Sequence, residues 1–182
     1  MRSDETLHPG HKSPRLPYHD YSAVGIYYVT ICAEDNRCIF GQIENAGVQR
    51  TRLGEVVREC WAAISAHYPN ARLHAFVVMP NHFYGLIELA KTSQLKTEIR
   101  RREFNPSSVP PGSLSAIVRY FKAVVTRRAH SEIGLHGEIW HRNYFERVVR
   151  DGQEFSNATR YIADNPMKWK RDERNPQAGE IQ

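Results

Sequence analysis

The sequence predicts an α+β domain in which helices back one antiparallel sheet. Three observations predict it. Segments rich in β-branched and aromatic residues alternate with segments whose apolar residues recur at three- and four-residue spacing. They follow one another in the order β-α-β-β-α-β, with a further helix after the last strand. The second and third strands are joined tightly by Pro80-Asn81. This succession is the split βαβ, or ferredoxin-like, arrangement.

The elements are justified in turn. "VGIYYVTICA", Val24 to Ala33, is dense in β-branched and aromatic residues and reads as a strand. "RCIFGQIE" and "GVQR" extend it or pair with it as a short hairpin. Leu53, Val56, Val57, Cys60, Trp61 and Ile64 then fall on one helical stripe, which "HYPN" ends. "RLHAFVVM" and "FYGLIEL" are the next two strands. Leu114, Ile117, Val118, Phe121, Val124 and Val125 give a second helical stripe. "NYFERVV", Asn143 to Val149, is the last strand. "DGQEFSNATRYIADNP" is the last helix: Asp151 with Glu154 three residues on is an N-cap signature, and Pro166 is expected to mark its end.

The 182 residues, 41% of them hydrophobic, suffice for one core and do not demand two domains. Residues 1–22 read as a polar arm, 23–170 as the domain and 171–182 as a tail. Inside the domain, 92–113 reads as a long basic loop, with Pro106, Pro110, Pro111 and Gly112 and the run Arg100 to Arg102. No apolar run approaches the roughly 18 residues that span a bilayer, and the first residues carry no apolar signal core. The expectation is a soluble cytoplasmic protein with no membrane partner. Cys32, Cys38 and Cys60 are odd in number and form no C-x-x-C pair, which argues against a disulfide framework or a zinc ribbon. The net charge of +5 favours a polyanionic partner such as nucleic acid.

Candidate functional residues cluster in three places. His82 and Tyr84, two apart at the start of a strand, point to one face of the sheet. Tyr161 and Asn165 lie one turn apart on the last helix. Arg119, Lys122 and Arg127 lie off the apolar stripe of the second long helix, while Arg128 falls near it and is expected to snorkel or pair at the helix end. On spacing alone the structural readings lead: His82 as a turn cap, Tyr161 as a packing residue, Asn165 as a helix stop, the cations as a solvated face. The chemistry these residues permit together is phosphoryl transfer to a tyrosine. A phenol with a pKa near 10 attacks an anionic phosphodiester only if charge is stabilised as it does so, and a divalent cation on a non-bridging oxygen supplies that.

The motifs "MPNHFYGLIEL", "GSLSAIVRYFKAVVTRR", "IWHRNYFERVVRDGQEF" and "RYIADNPMKW" resemble, in order, those of the REP-associated tyrosine transposases, which are single-tyrosine HUH transposases. The resemblance runs from about Tyr27 to Trp169. It implies a ferredoxin-like fold and an enzyme that cuts single-stranded DNA beside a folded hairpin. The hairpin would belong to a repetitive palindromic element or an insertion-sequence end. Cutting would leave a 5′-phosphotyrosine and a free 3′-hydroxyl, with Mg²⁺ or Mn²⁺. By the same resemblance Tyr161 matches the nucleophile, His82 the first histidine of the HUH pair and Asn165 the polar residue completing the metal site. Arg119, Lys122, Arg127 and Arg128 would meet DNA phosphates. A homodimer, with the tyrosine acting in its own chain or its neighbour's, is among the arrangements the resemblance allows.

The departure is Tyr84, where the family has its second histidine. A neutral phenol is a weaker cation ligand than an imidazole, so metal affinity below that of two-histidine relatives is expected. The alternative function is a catalytically impaired protein that still binds DNA hairpins. An RNA-binding domain of the same fold is a more distant alternative, since no RNP-type aromatic motif is present.

Overall fold

The computed structural model describes residues 24–91 and 109–178; the arm, most of the basic loop and the last four residues lie outside the described residues. Strand β1 (Gly25–Cys32) leads to the hairpin β2 (Gly41–Glu44) and β3 (Gly47–Arg50). Helix α1 (Arg52–Ala62) continues into the single turn α2 (Ile64–His67), and β4 (Ala71–Val78) and β5 (His82–Leu89) follow. Next come α3 (Leu114–Arg128), a π-helical turn (Ala129–Ile133), β6 (Phe145–Val149), α4 (Gly152–Lys168) and a 3-10 turn (Trp169–Arg171).

The sheet order is β4-β5-β1-β6, and every neighbouring pair is antiparallel. This is the ferredoxin-like topology expected from the order of elements. The register sets Cys32 opposite His82 and Thr30 opposite Tyr84. The hairpin strands pair with each other in a separate small sheet rather than extending β1. Asn45 and Ala46 at its tip both have positive φ, as a two-residue hairpin turn that follows the twist of its strands requires.

Side-chain alternation gives the sheet two apolar faces. Tyr27, Val29, Ile31, Phe83 and Ile87 pack with Val56, Trp61, Ile117 and Phe121 of α1 and α3. Tyr84, Leu86 and Val149 pack with Ala158 and Ile162 of α4 and with Trp169. The sheet is covered on both sides, so β5 is apolar almost throughout. Gly85 faces α1, where a Cβ would lie 2.7 Å from Cζ2 of Trp61; the indole occupies the space a side chain would need.

Helix α4 does not stop at Pro166 but runs two residues further. A proline in the last turn removes only the bond its nitrogen would give to the carbonyl four residues back, and its φ is already helical. Burial of Trp169 in the second core holds the chain in register beyond it. Among the described residues no helix is long and apolar enough to cross a membrane.

Candidate functional site

β5 begins at His82, and the two-residue period places the imidazole and the Tyr84 phenol on the α4 side. Their rings meet edge-on with centroids 4.5 Å apart. Asp151 caps the N-terminus of α4, its Oδ1 accepting from the Glu154 amide at 2.8 Å. The helix crosses the same sheet face three turns later. There the Tyr161 ring lies 5.6 Å from that of Tyr84 and 6.3 Å from that of Tyr28, edge-on to both. Asn165, one turn on, is buried, and the Trp169 ring lies 6.0 Å from His82. The fold therefore gathers His82, Tyr84 and Tyr161 into one ring cluster, with Asn165 buried one turn beyond Tyr161.

Hydrogen bonds fix the protonation pattern. Asn81 donates its Nδ2 protons to the carbonyls of Asn36 (3.0 Å) and Arg174 (2.7 Å), so its Oδ1 is the atom facing His82. That oxygen can only accept, so the Nδ1 of His82, 2.8 Å away, carries the proton and Nε2 keeps its lone pair. Burial, then the nearby Arg174 guanidinium, hold the His82 pKa well below the usual histidine range, so the ring is neutral. His82 Nε2 and Asn165 Oδ1 are both buried without a hydrogen-bond partner. Each such orphan costs about 1–3 kcal/mol. The Asn165 amide nitrogen reaches back to the Tyr161 carbonyl at 3.5 Å, and Oδ1 is the end left without a partner.

Tyr84 is engaged differently. Arg174 Nη1 donates to its Oη at 3.2 Å, and the guanidinium carbon lies 6.0 Å from the ring centroid. Burial pushes the phenol pKa up, so Tyr84 is neutral. Arg174 comes from the segment expected to be a tail, which instead folds back. Asp172 Oδ1 accepts from the Arg174 amide at 2.8 Å, and Asn175 Nδ2 donates to the Trp169 carbonyl at 3.1 Å. His82, Tyr84 and Asn165 are 0%, 1% and 2% exposed, whereas Tyr161 and Arg174 are only partly buried. The polar groups at the rim are thus a phenol and a guanidinium.

One imidazole nitrogen and one amide oxygen, both with unused lone pairs, suit a hard divalent ion that completes its shell with water and phosphate oxygens. The chain offers those two donors. The described residues contain no group of three or more His, Cys, Asp or Glu side chains that could hold a metal by themselves.

On the other face, α3 borders an open groove of about 1190 Å³. Arg119, Lys122 and Arg127 line it, together with His130, His141 and Arg142. Arg119 and Arg127 are exposed. Lys122 is used structurally: its ammonium donates to the carbonyls of His141, Arg142 and Asn143 at 2.8, 3.2 and 3.1 Å. Arg128 lies outside the groove and pairs with Glu59 (2.8 Å) and Glu132 (2.5 Å), as its place near the apolar stripe suggested. Groove and cluster approach each other at the end of β1. Burial raises the pKa of the Cys32 thiol there, opposed by the charges of Arg174 and Lys122.

Sequence reasoning missed Asn81, Arg174, His141 and Arg142. The Pro-Asn turn marked Asn81 only as a turn residue. No periodicity marks the other three.

No protein-family model matches the chain. An uncharacterized protein of Haemophilus influenzae is 36% identical over 168 residues, covering 89% of this chain and 91% of that protein. A second protein of that organism, described as a "Putative REP-associated tyrosine transposase", is 24% identical over 160 residues, covering 82% of this chain and 74% of its own. Among solved structures, a REP-associated tyrosine transposase bound to a REP hairpin superposes with a TM-score of 0.57 at 18% identity, over 83% of this chain and 72% of that one. The likeness is one of a mixed α/β fold with a four-stranded antiparallel sheet and a C-terminal helix across it. The chain is thus similar in sequence to a putative REP-associated tyrosine transposase and shares the fold of a solved one.

Proposed function

We propose that this chain is a transposase-like DNA-strand transferase that binds single-stranded DNA bearing a hairpin and cuts it through a phosphotyrosine at Tyr161. The observation that carries the reading is that His82 and the partly exposed Tyr161 pack on the same Tyr84 ring, while His82 Nε2 and Asn165 Oδ1 are buried without partners. The solved relative is bound to a REP hairpin, and the present chain has an open groove lined by the exposed cations Arg119 and Arg127, which would face the phosphates of a stem laid in it. Such contacts position the nucleic acid without reading its sequence.

In this reading Tyr161 Oη attacks the scissile phosphorus, and the 3′-oxygen leaves. His82 Nε2 and Asn165 Oδ1 would hold Mg²⁺ or Mn²⁺, which when bound neutralises charge on the phosphate. Asn81 keeps the His82 lone pair pointed at that position by fixing the tautomer, a role typical of groups behind a metal ligand. Tyr84 packs against both rings and keeps water away.

The test is covalent capture. Incubation with hairpin-bearing single-stranded DNA and Mn²⁺ should give an adduct on a denaturing gel, and Tyr161→Phe should abolish it. An adduct that persists in Tyr161→Phe overturns the assignment. A second reading is favoured by Tyr84 and by the sealing of His82 and Asn165: a hairpin-binding protein that has lost cleavage. It predicts salt-dependent hairpin binding and no adduct with any divalent ion.

A further inference from the structure

We propose that Arg174 is a phosphate-binding cation of this site, receiving the phosphodiester beside Tyr161 directly on its guanidinium. The proposal rests on the function proposed above and adds a residue to it. Four observations point to it. Arg174 and Tyr161 are partly exposed beside the Tyr84 ring, as is Tyr28, whose hydroxyl is itself buried, while His82 and Asn165 are buried beneath. A phosphate arriving from solvent therefore meets the phenol and the guanidinium first. Secondly, Arg174 is held in place: Asn81 Nδ2 binds its carbonyl at 2.7 Å and Asp172 Oδ1 accepts from its amide at 2.8 Å. Asn81 is also the residue that orients His82, so one side chain ties the strap to the strand.

Thirdly, the hydrogen-bond partners of its side chain are a phenol, Tyr84 Oη at 3.2 Å, and the Cys32 thiol, both with pKa values raised by burial, while the carboxylate of Asp172 acts on it only through its charge. A guanidinium has five donors in a planar fork; one directed at Tyr84 leaves others for an oxyanion. Fourthly, Tyr84 stands where an imidazole would be expected. An imidazole there would compete for a divalent ion, whereas a phenol accepts a hydrogen bond from a cationic side chain and keeps it against the aromatic wall.

The test uses the full chain, a hairpin oligonucleotide with a single-stranded flank, and the same hairpin without the flank. Binding is measured in the Tyr161→Phe background with EDTA present, so that no cleavage intervenes. The flank should tighten binding at least fivefold, Arg174→Gln should erase that gain while leaving affinity for the bare hairpin unchanged, and Arg174→Lys should retain part of it. With Tyr161 restored and Mn²⁺ present, Arg174→Gln should lower adduct yield at least tenfold and Arg174→Lys should lower it less. Thermal melting of each variant controls for folding. A flank effect that survives Arg174→Gln, or an adduct yield indifferent to Arg174→Gln, overturns the proposal and leaves the transferase reading standing. Failure of the wild-type chain to bind either oligonucleotide overturns both.

Discussion

Asn81 makes a neutral, correctly oriented His82 possible, because its amide satisfies two backbone carbonyls with one end and the imidazole with the other. Asn81→Ala removes three hydrogen bonds at once, one buried and two part-buried, and a loss of about 3 kcal/mol is expected in urea unfolding, at roughly 1 kcal/mol per bond. His82 should show itself in the pH dependence of stability. Its folded pKa is depressed by burial and by Arg174, below an unfolded value near 6.5. The unfolded chain therefore takes up the proton first as pH falls. Stability is fully present above about pH 6.5 and declines below it, by up to roughly 1.4 kcal/mol per pH unit from this group. Comparing unfolding midpoints at pH 7.5 and 5.5 should show a steeper loss for the wild type than for His82→Gln; equal losses would mean that the ring is charged in the native state. The pairs His82/Tyr84 and Tyr161/Asn165 were legible in the sequence because each follows a local period. Asn81–Arg174 and Tyr84–Arg174 were not, because those contacts span 93 and 90 residues and no pattern in the chain announces them.

At the scale of elements, two helices are set by close approach and by capping. Gly54 in α1 would put a Cβ 2.0 Å from the Phe40 carbonyl oxygen, so α1 can lie against the chain before the hairpin only with glycine there. Gly85 does the same for Trp61 against the sheet, and Gly85→Ala should cost about 1–3 kcal/mol by overpacking, read as a lowered urea midpoint with an unchanged slope. Asp151→Ala should cost about 1 kcal/mol by uncapping α4. Because α4 carries Tyr161 and Asn165, any loss of adduct in that variant should be recovered at lower temperature, where the helix is restored. The helical stripes, the hairpin and the order of strands were all legible, since apolar period and turn chemistry are local properties. The end of α4 was not: proline is a local stop signal, and burial of Trp169 outweighs it. The segment after it was read as a tail because it is polar. Its hydrogen bonds to Asn81 and Tyr84 come from the tertiary fold.

Across the whole molecule, the basic groove and the tyrosine cluster lie on opposite faces of one sheet and approach each other near Cys32 and Trp140, where β1 ends. A hairpin stem in the groove would leave its single-stranded flank to turn past the strand end toward Tyr161. Stem and flank should then contribute separately to binding. The double substitution Arg119→Gln/Arg127→Gln removes two exposed cations that pair with no carboxylate among the described residues, so the fold should persist. If both meet stem phosphates, the plot of log affinity against log salt should become shallower by roughly 0.9 per lost contact. Arg128→Gln should leave that slope unchanged, since Glu59 and Glu132 already hold its guanidinium. Combining the double substitution with Arg174→Gln makes the separation quantitative. For sites on opposite faces of the sheet the two losses in binding free energy should add within about 0.5 kcal/mol. A strong departure from additivity would mean that stem and flank share one surface, and the path around the end of β1 would have to be redrawn.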